Sequence, residues 1–571
     1  MPNASMERRE FIAATAATLT AWLPAFRVSP ASAQATCAPP PDFPSNIPLY
    51  QQAYQNWSRE IRISALWTCA PRNAAEVLQI VEWARHHDYR VRPRGMMHNW
   101  SPLTIGPAAT CSSNVVLVDT AENLTARSID PAAMTVTAQT GITMEALLTA
   151  LEQAGLGVTA TPAPGDLTLG GALAIDGHGT AVPAIGEQKP IGHTYGSLSN
   201  LILSLTAVVW DPLSGRYVLK TFSRTDPRCR ALLVHLGRAF IVEVTLQVGP
   251  NRRLRCRSWF DVPATELFAP PGSAGRTFAS YLDSAGRIEA IWFPFTSNPW
   301  IKVWSVSPGK PIFARAVTSP YNYPFSDSIP QQLVDVLARI VGGDPSAATT
   351  LGPLQFNIVA SGLVLTFAYD LWGWSKNLLL YIKPTTLRVT ANGYAVLMNR
   401  SNVQRALNEF VTFYQDRVAA YRAAGHYPMN GPVEIRVTGL DVAADVGLSG
   451  TAQLSALRPR PDHPEWNVAV WFDILTVPGT PTSNRFYREV EQWMFTNYSG
   501  SYATVRPEWS KGWGYTDTSA WSDATLLSAT IPDAYRAGQS ASDNWDTAGQ
   551  LLNQYDPYRI FTSPLLDQLL P

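Results

Sequence analysis

The spacing of apolar and polar positions predicts alternating helices and strands in the first half of the chain. Apolar residues at helical spacing predict helices over residues 73–86, with Asn73 as N-cap, and 143–153, ending before Gly155. Short apolar or alternating runs predict strands over residues 89–92, 115–119, 134–139, 201–210 and 239–248. This interleaving favours an α+β or α/β domain.

The second half contains two alternating runs, residues 287–295 and 432–437, that predict further strands. In the second run Glu434 and Arg436 stand two positions apart and therefore share one face of the strand. The pattern leaves open whether this carboxylate–guanidinium pair faces solvent or a site, and Glu289 has the same two interpretations. The apolar residues 371–374 and 378–381 suit either a packed strand or a mobile loop.

Composition bounds these interpretations. A length of 571 residues predicts two or three domains. The chain has 44 basic and 44 acidic residues, so it has no net positive charge that would attract nucleic acid. Nineteen tryptophans suit large cores, a cavity lined with flat rings, or a surface that meets lipid. Five cysteines without CxxC spacing argue against a zinc site and allow one disulfide whose pairing stays open.

Residues 1–33 predict a targeting segment rather than folded structure. Arg8 and Arg9 precede an apolar run over residues 12–23, and Ala31, Ser32 and Ala33 fit a small-residue cleavage site. The pattern is typical of the bacterial twin-arginine export signal, so we expect a secreted protein. Because this route carries folded proteins, it suits a chain that loads a cofactor before export.

Two stretches carry candidate cofactor chemistry. The first, RVRPRGMMHNWSPLTI over residues 90–105, places His98 directly after a turn at Gly95, where backbone can approach a ligand and the histidine can reach it. The alternative is an exposed histidine in a loop that leaves a strand. The second, LGGALAIDGHGT over residues 169–180, has four glycines suited to close contact with a pyrophosphate. It is not a GxGxxG motif, so no Rossmann fold is predicted. His178 and His193 lack a third metal ligand at a suitable spacing, so no metal site is predicted.

The ordered motifs PRGMMHNW, GGALAIDGHGT and GRAFIVEVTLQV resemble the FAD-binding domain of the vanillyl-alcohol oxidase family. The resemblance implies an α+β fold, with a discontinuous FAD-binding domain of two α+β subdomains and an α+β cap over the flavin. It implies FAD bound covalently through His98. It places the FAD-binding domain at residues 34–250, the cap at 251–500 and a C-terminal return to the FAD-binding domain at 501–571. The other cofactor-binding residues it implies are Arg94, Gly95, Met96, Met97, Asn99, Trp100, Gly170, Gly171, Gly177, His178, Gly179 and Ile241.

Within this family, the cap and the closing YDPYRIFTSPLLDQLLP resemble the covalent-flavin (type II) bacterial cholesterol oxidases. This resemblance implies an active-site pair of Glu434 and Arg436, a second glutamate, Glu289, and Lys511 from the sequence WSKGW. It implies oxidation of the 3β-hydroxyl of cholesterol with O2, release of H2O2, and a Δ5 to Δ4 isomerisation. Glu434 is the first candidate base, with Arg436 orienting it, and either Glu289 or Glu434 could move the proton in the isomerisation.

Two alternatives remain at this stage. The chain could be another covalent-FAD oxidase of the same family, acting on a sugar, a lactone or an aromatic alcohol. It could also be a secreted protein without activity that binds sterol or lipid surfaces through its aromatic residues. The expected partners of the sterol oxidase are the sterol, O2 and, transiently, a membrane surface, with the oligomeric state open.

Overall fold

Two small sheets near the N-terminus contain the five strands predicted there and four further strands that the sequence analysis did not predict. A four-stranded sheet has the order β1-β2-β4-β3, and a five-stranded antiparallel sheet has the order β5-β6-β10-β8-β9. Their strands are β1 Leu49–Gln55, β2 Arg62–Cys69, β3 Arg90–Arg94, β4 Val115–Asp119, β5 Arg127–Asp130, β6 Thr135–Gln139, β8 Ile202–Asp211, β9 Arg216–Ser223 and β10 Phe240–Gln247. The short strands β7 Leu156–Gly157 and β11 Gly249–Pro250 pair beside them.

A nine-stranded sheet forms the second half of the chain, in the order β15-β16-β12-β14-β13-β18-β19-β17-β20. Its strands are β12 Arg253–Trp259, β13 Ile288–Trp292, β14 Trp300–Val306, β15 Arg315–Val317, β16 Asp370–Trp374, β17 Thr390–Met398, β18 Val433–Gly439, β19 Val468–Thr476 and β20 Ala503–Pro507. Only β15 and β16 pair in parallel within it. Since β20 belongs to this sheet, the sheet continues past residue 500.

The α-helices pack against these sheets. They are α1 Ala74–His87, α2 Met144–Gln153, α3 Leu169–Ala174, α4 Arg230–Leu233, α5 Ala264–Leu267, α6 Phe278–Ala285, α7 Gln331–Val341, α8 Ala348–Leu365, α9 Ser375–Leu379, α10 Val403–Ala423, α11 Ser483–Asn497, α12 Ile531–Arg536, α13 Trp545–Tyr555 and α14 Pro564–Leu569. This is a computed structural model, and it describes residues 37–325 and 330–571. The predicted export signal, residues 1–33, lies outside the described residues.

The predicted helices and strands agree with the structure to within one or two residues, with two exceptions: the strand predicted over residues 287–295 ends at Trp292, and residues 378–379, for which a strand or a loop was predicted, lie in helix α9. The side chain of Asn73 caps α1 by accepting a hydrogen bond from the Glu76 N–H, and Thr143 caps α2 in the same way. Gly155 follows α2 with a φ of 75°, a left-handed conformation that glycine adopts at little cost. Residues 371–374, for which a mobile loop was the alternative, lie in strand β16. The α+β fold class is therefore confirmed.

The C-terminal helices return to the N-terminal sheets. Asp556, just after α13, accepts hydrogen bonds from the buried Arg238 guanidinium at 2.9 Å and from the Tyr217 hydroxyl at 2.6 Å. Asp567 in α14 pairs with Arg90 of β3 at 2.8 Å. A buried arginine is stable when a carboxylate pairs with it, so these contacts attach the end of the chain to β3, β9 and the segment before β10.

Two further features bear on function. Cys37 and Cys111 are disulfide-bonded, whereas Cys69, Cys229 and Cys256 are free and buried. Among the described residues, the helical segment Pro345–Leu365 is long and apolar enough to cross a membrane by length and composition, and about a third of it is buried. One side of this segment lines an internal cavity through Ile358 and Val359.

Candidate active site

A cavity of about 430 Å³ lies between the N-terminal sheets and the nine-stranded sheet. Its N-terminal wall contains all the predicted cofactor residues except Gly179: Arg94, Gly95, Met96, Met97, His98, Asn99, Trp100, Gly170, Gly171, Gly177, His178 and Ile241. Its opposite wall contains Glu434, Arg436 and the predominantly apolar residues Ile291, Phe293, Trp300, Leu333, Ile358 and Val359. The cavity is the size of a small-molecule site and is mostly apolar, with a few convergent polar groups.

The loop after β3 directs His98 into this cavity. Met97 adopts a φ of 57°, which turns the backbone sharply just before the histidine. The imidazole stacks on Trp57 with ring centres 3.6 Å apart, and the Arg388 guanidinium covers Trp57 at 3.6 Å. The side chain of His98 is only 7% exposed, so the alternative of an exposed loop histidine is wrong.

The His98 imidazole is neutral at ordinary pH and has a free ring nitrogen. Burial, with the positive charges of Lys511 and Arg388, lowers the pKa of His98 to about 3. Its Nδ1 is buried without a hydrogen-bond partner, since Asp166 Oδ1 is 3.8 Å away and too distant to bond. A buried polar atom without a partner requires an explanation, and a missing ligand is one.

Glycines keep the N-terminal wall open to a ligand. A Cβ on Gly171 would meet only Thr168 Oγ1, at 3.1 Å, so this position faces the cavity. Gly170 and Gly177 are packed instead, because a Cβ on them would lie 2.8 Å from Thr140 and 2.7 Å from Ala172 O. The placement of Gly179 at the cofactor is wrong: it packs on the backbone of Thr161, where a Cβ would come within 2.7 Å.

The register of the nine-stranded sheet gathers the charged residues on its cavity face. One row of directly paired residues runs Trp300, Ile291, Glu434, Asp473 and Gly393 across five strands. The next row, two residues along each strand, runs Lys302, Glu289, Arg436, Trp471 and Ala395. Because paired residues and residues two apart share a face, all these side chains project to one side of the sheet.

Arg436 is the centre of this cluster. Its Nη1 lies 3.3 Å from Glu434 Oε2 and 3.4 Å from Glu289 Oε1, and its Nη2 bonds to Asp473 Oδ2. Burial opposes its charge, but the nearby carboxylates outweigh burial and raise the pKa of Arg436 above its ordinary value. The pair of Glu434 and Arg436 therefore faces the cavity rather than the outer surface of the protein.

Glu289 lies behind Arg436 and does not line the cavity. The Tyr381 hydroxyl donates to the Glu289 carboxylate and lies 2.9 Å from both oxygens, and Oε2 pairs with Lys302 Nζ at 3.1 Å. Burial raises the pKa of Glu289, but Lys302, Arg436 and the Tyr381 hydroxyl outweigh it, so the pKa lies below its ordinary value. Glu289 is therefore a buried carboxylate that holds Arg436.

Lys511 closes the cavity beside His98. Its Nζ lies 4.0 Å above the Trp100 ring and 3.8 Å from Asp473 Oδ2. Burial lowers its pKa, and the nearby Glu508 carboxylate opposes that effect. Glu508 also lines the cavity, 3.8 Å from His178, whose ring stacks on Trp471 at 3.6 Å.

The sequence interpretation missed four residues of this site: Asp473, Lys302, Tyr381 and Glu508. Asp473 and Lys302 each had a detectable signal, a single charge inside an otherwise apolar run, VAVWFDILT and WIKVW. Such a charge in a buried strand must be paired, so it marks a site. Tyr381 and Glu508 had no comparable signal. Among the described residues no group of three or more His, Cys, Asp or Glu could hold a metal ion.

Comparisons with known proteins agree with this division of the site. A family model described as an FAD-binding domain matches residues 66–211, and one described as the substrate-binding domain of cholesterol oxidase matches residues 253–571, more than half of the chain. Two curated relatives, the L-gulonolactone oxidases of Mus musculus and Bos taurus, are 22% and 23% identical over 246 residues. That match covers 43% of this chain and 49% of each relative, so the chain spans about half the length of these relatives.

Solved structures match over nearly the whole chain. A solvent-stable cholesterol oxidase is 63% identical with a TM-score of 0.92, and the match covers 94% of this chain and 100% of that one. A cholesterol oxidase from Brevibacterium sterolicum is 48% identical with a TM-score of 0.91 and the same coverage. A chitooligosaccharide oxidase, 12% identical with a TM-score of 0.54 over 91% of this chain and 97% of that one, shares the fold. The chain belongs to the cholesterol oxidase family of FAD-dependent oxidoreductases that act on CH–OH groups.

Proposed function

We propose that this protein oxidises the 3β-hydroxyl of cholesterol or a related sterol with O2, produces H2O2, and isomerises the Δ5 double bond to Δ4. The observation that carries the proposal is the position of Glu434 and Arg436 in the wall of the same largely apolar cavity that His98 enters. A sterol is rigid and apolar, with one hydroxyl, so it fits a cavity with one polar end.

The residues on the N-terminal wall fit FAD. His98 supplies an unpartnered buried nitrogen, and Gly171 an open approach. Bound FAD would supply the hydride acceptor of the oxidation and pass the electrons on to O2. We propose that His98 carries the FAD covalently through the 8α-methyl group of its isoalloxazine, because a neutral imidazole has the lone pair that such a bond requires.

Glu434 is the residue we assign as the base. It lines the cavity, whereas Glu289 is buried behind it, so of these two glutamates Glu434 is the one placed to reach the sterol hydroxyl. Arg436 lies beside Glu434 and can stabilise negative charge that develops on the sterol oxygen. The same accessibility assigns to Glu434 the transfer of a proton from C4 to C6, with Glu289 as a positioning residue.

Acid denaturation tests the covalent bond and a peroxide assay tests the substrate. We expect flavin absorbance to stay with the parent protein after acid precipitation and to be released from His98→Ala. His178→Ala, which changes another histidine of the cavity wall, should retain the colour. The parent should produce H2O2 with cholesterol and far less with aldoses or aldonolactones.

For each expected result there is an outcome that would contradict it. Flavin released from the parent would remove the covalent assignment, and colour retained in His98→Ala would place the bond on another residue. Peroxide formed faster from an aldose or aldonolactone than from cholesterol would favour the sugar or lactone oxidase instead. A protein without flavin would leave a sterol- or lipid-binding protein.

We propose further that the enzyme is exported and meets its sterol at a membrane surface. The twin-arginine-like segment of residues 1–33 supports export of a folded enzyme. The exposed residues Ile312 and Phe313 lie next to the exposed C-terminal end of α8, Leu365 and Phe367, since Arg315 bonds to Thr366 O at 2.6 Å. A cluster of large exposed apolar side chains beside a helix that lines the cavity suits contact with lipid.

Vesicle binding tests this contact. We expect the double variant Phe313→Ser/Leu365→Ser to lose at least about tenfold in affinity for cholesterol-containing phosphatidylcholine vesicles, since each large side chain buried in lipid is worth about 1.5–3 kcal/mol. Its activity on detergent-solubilised cholesterol should stay within about twofold. Leu213→Ser, at an exposed apolar residue of the β8–β9 turn, serves as the control. Unchanged vesicle binding of the double variant would contradict the proposed contact.

A further inference from the structure

Two buried carboxyl groups share one hydroxyl behind the glycine wall of the cavity. Asp176 and Asp441 are each 1% exposed. Ser455 Oγ lies 2.8 Å from Asp176 Oδ2 and 2.7 Å from Asp441 Oδ2. Asp176 directly precedes Gly177 and lines the cavity, while Asp441 follows β18 of the nine-stranded sheet. The pair therefore links the cofactor wall to the sheet that carries Glu434 and Arg436.

Counting protons shows that one of these carboxyl groups is protonated. Ser455 Oγ has one hydrogen to donate, and it also accepts a hydrogen bond from the Leu457 N–H at 3.0 Å. It can thus donate to only one carboxyl oxygen, and the other carboxyl must donate to it. Two carboxylates this close in a buried site also repel each other, which favours a shared proton.

The hydrogen-bond donors place that proton on Asp176. Asp441 accepts from the Ser197 N–H at 2.7 Å, from the Ser197 hydroxyl at 3.0 Å and from Ser455, so it has the partners of a carboxylate. Asp176 Oδ2 has Ser455 and a longer contact to the Leu457 N–H at 3.3 Å, and Asp176 Oδ1 is buried without a partner. The proton order is then Asp176 to Ser455 to Asp441.

The surrounding charges favour the same assignment. Burial, together with the charge of Asp441, raises the pKa of Asp176 to about 7. Arg224 lies on the Asp441 side and favours that carboxylate. The other charged group facing the pair is Arg506. It donates to Arg458 O at 2.7 Å and more weakly to Ser455 O and Ala456 O. Tyr535 lies against Arg506.

We propose that Asp176, in the wall against which FAD would lie, is a neutral carboxylic acid, which Asp441 maintains through Ser455. FAD carries a pyrophosphate with two negative charges, so an ionised aspartate in the cofactor wall would repel it. A neutral acid removes this repulsion. This proposal rests on FAD occupying the cavity.

The affinity for FAD should consequently depend on pH. We would measure the FAD dissociation constant by flavin fluorescence between pH 5.5 and 9, in a His98→Ala background that keeps the cofactor exchangeable. If FAD binds only the neutral form, the constant rises as Asp176 ionises, by about tenfold per pH unit above a pKa of about 7.

Two isosteric variants should change the pH dependence of FAD affinity in different ways. Asp176→Asn is neutral at every pH and donates its N–H to Ser455. It should bind FAD at pH 6 within about threefold of the background protein, and its FAD dissociation constant should not rise at higher pH. Asp441→Asn removes the charge that keeps Asp176 protonated, so affinity should begin to fall at a lower pH.

Two results would overturn the proposal. One is a pH profile in Asp176→Asn that equals the profile of the background protein. The other is a profile in Asp441→Asn that is unchanged or moved to higher pH, a measurement that stands even where Asp176→Asn does not fold. A background protein with constant FAD affinity over this range would overturn the proposal and leave the proposed sterol oxidation intact. A parent protein that binds no FAD at any pH would overturn both.

Discussion

Replacing Arg436 with methionine should lower kcat/KM for cholesterol by about a thousandfold, the scale found when one preorganised electrostatic donor is removed from an active site. Arg436 is the only cation in contact with Glu434, Glu289 and Asp473 together among the described residues. Without it, Glu289 keeps Lys302 and Asp473 keeps Lys511 at 3.8 Å, but Glu434 loses the cation that pairs with it. The base is then no longer held by a guanidinium, and negative charge on the sterol oxygen loses the guanidinium beside it.

The measurement is steady-state peroxide formation on a variant that still carries its flavin. Arg255→Met is the matched control, because Arg255 forms a two-point ion pair with Asp370 in the same sheet, at 2.7 and 2.6 Å, outside the cavity. We expect it to change kcat/KM by less than about threefold. Arg436→Lys should fall between parent and methionine, since it keeps the charge and loses the fork that reaches several carboxylates at once. Activity of Arg436→Met near that of the parent would exclude the assigned role.

The sequence predicted those parts of the site that depend on neighbouring residues. The histidine after the Gly95 turn and the glycines at 170, 171 and 177 form local patterns, and the structure places them on one wall of the cavity. The alternation in residues 432–437 put Glu434 and Arg436 on one face because the strand period is two. Their type and spacing were therefore readable without knowledge of the fold.

The contacts of the site that depend on strand pairing could not be predicted from the sequence. Asp473 meets Arg436, and Lys302 meets Glu289, only because β19, β18, β13 and β14 pair in a particular register. A shift of one residue would turn either charge to the other face of the sheet. For the same reason alternation could not tell that Glu434 opens to the cavity while Glu289 lies behind it.

Gly179 illustrates a different limit. Its neighbours Gly177 and His178 line the cavity, and in the sequence it is indistinguishable from them. The chain passes under Thr161 at this point, so here glycine is required by close contact between backbones rather than by a ligand. A glycine-rich motif identifies a region of close approach, and only the fold decides what approaches each glycine.

Glu289→Gln should destabilise the holoprotein by about 3–5 kcal/mol at pH 7, the usual cost of leaving one charge of a buried pair without its partner. The remaining charge is Lys302, which is fully buried and surrounded by the rings of Trp300, Trp304, Tyr323 and Tyr381, with Nζ 3.0 Å from the Tyr381 ring centre. These rings attract a cation but cannot replace a carboxylate. Urea unfolding followed by tryptophan fluorescence measures the effect.

The double variant Glu289→Gln/Lys302→Met separates the pair from its surroundings. It removes both charges and should recover most of the loss, because an apolar side chain suits an aromatic cage. The pKa of Glu289 lies below its ordinary value, so its contribution is present above about pH 4.3, the carboxyl pKa of an unfolded chain, and is lost as the pH falls through the lower, folded value. The stability difference between parent and Glu289→Gln should therefore shrink on acidification. A double variant as unstable as the sum of its two single variants would show that Lys302 is neutral in the folded protein, and Arg436 alone would then hold Glu289 ionised.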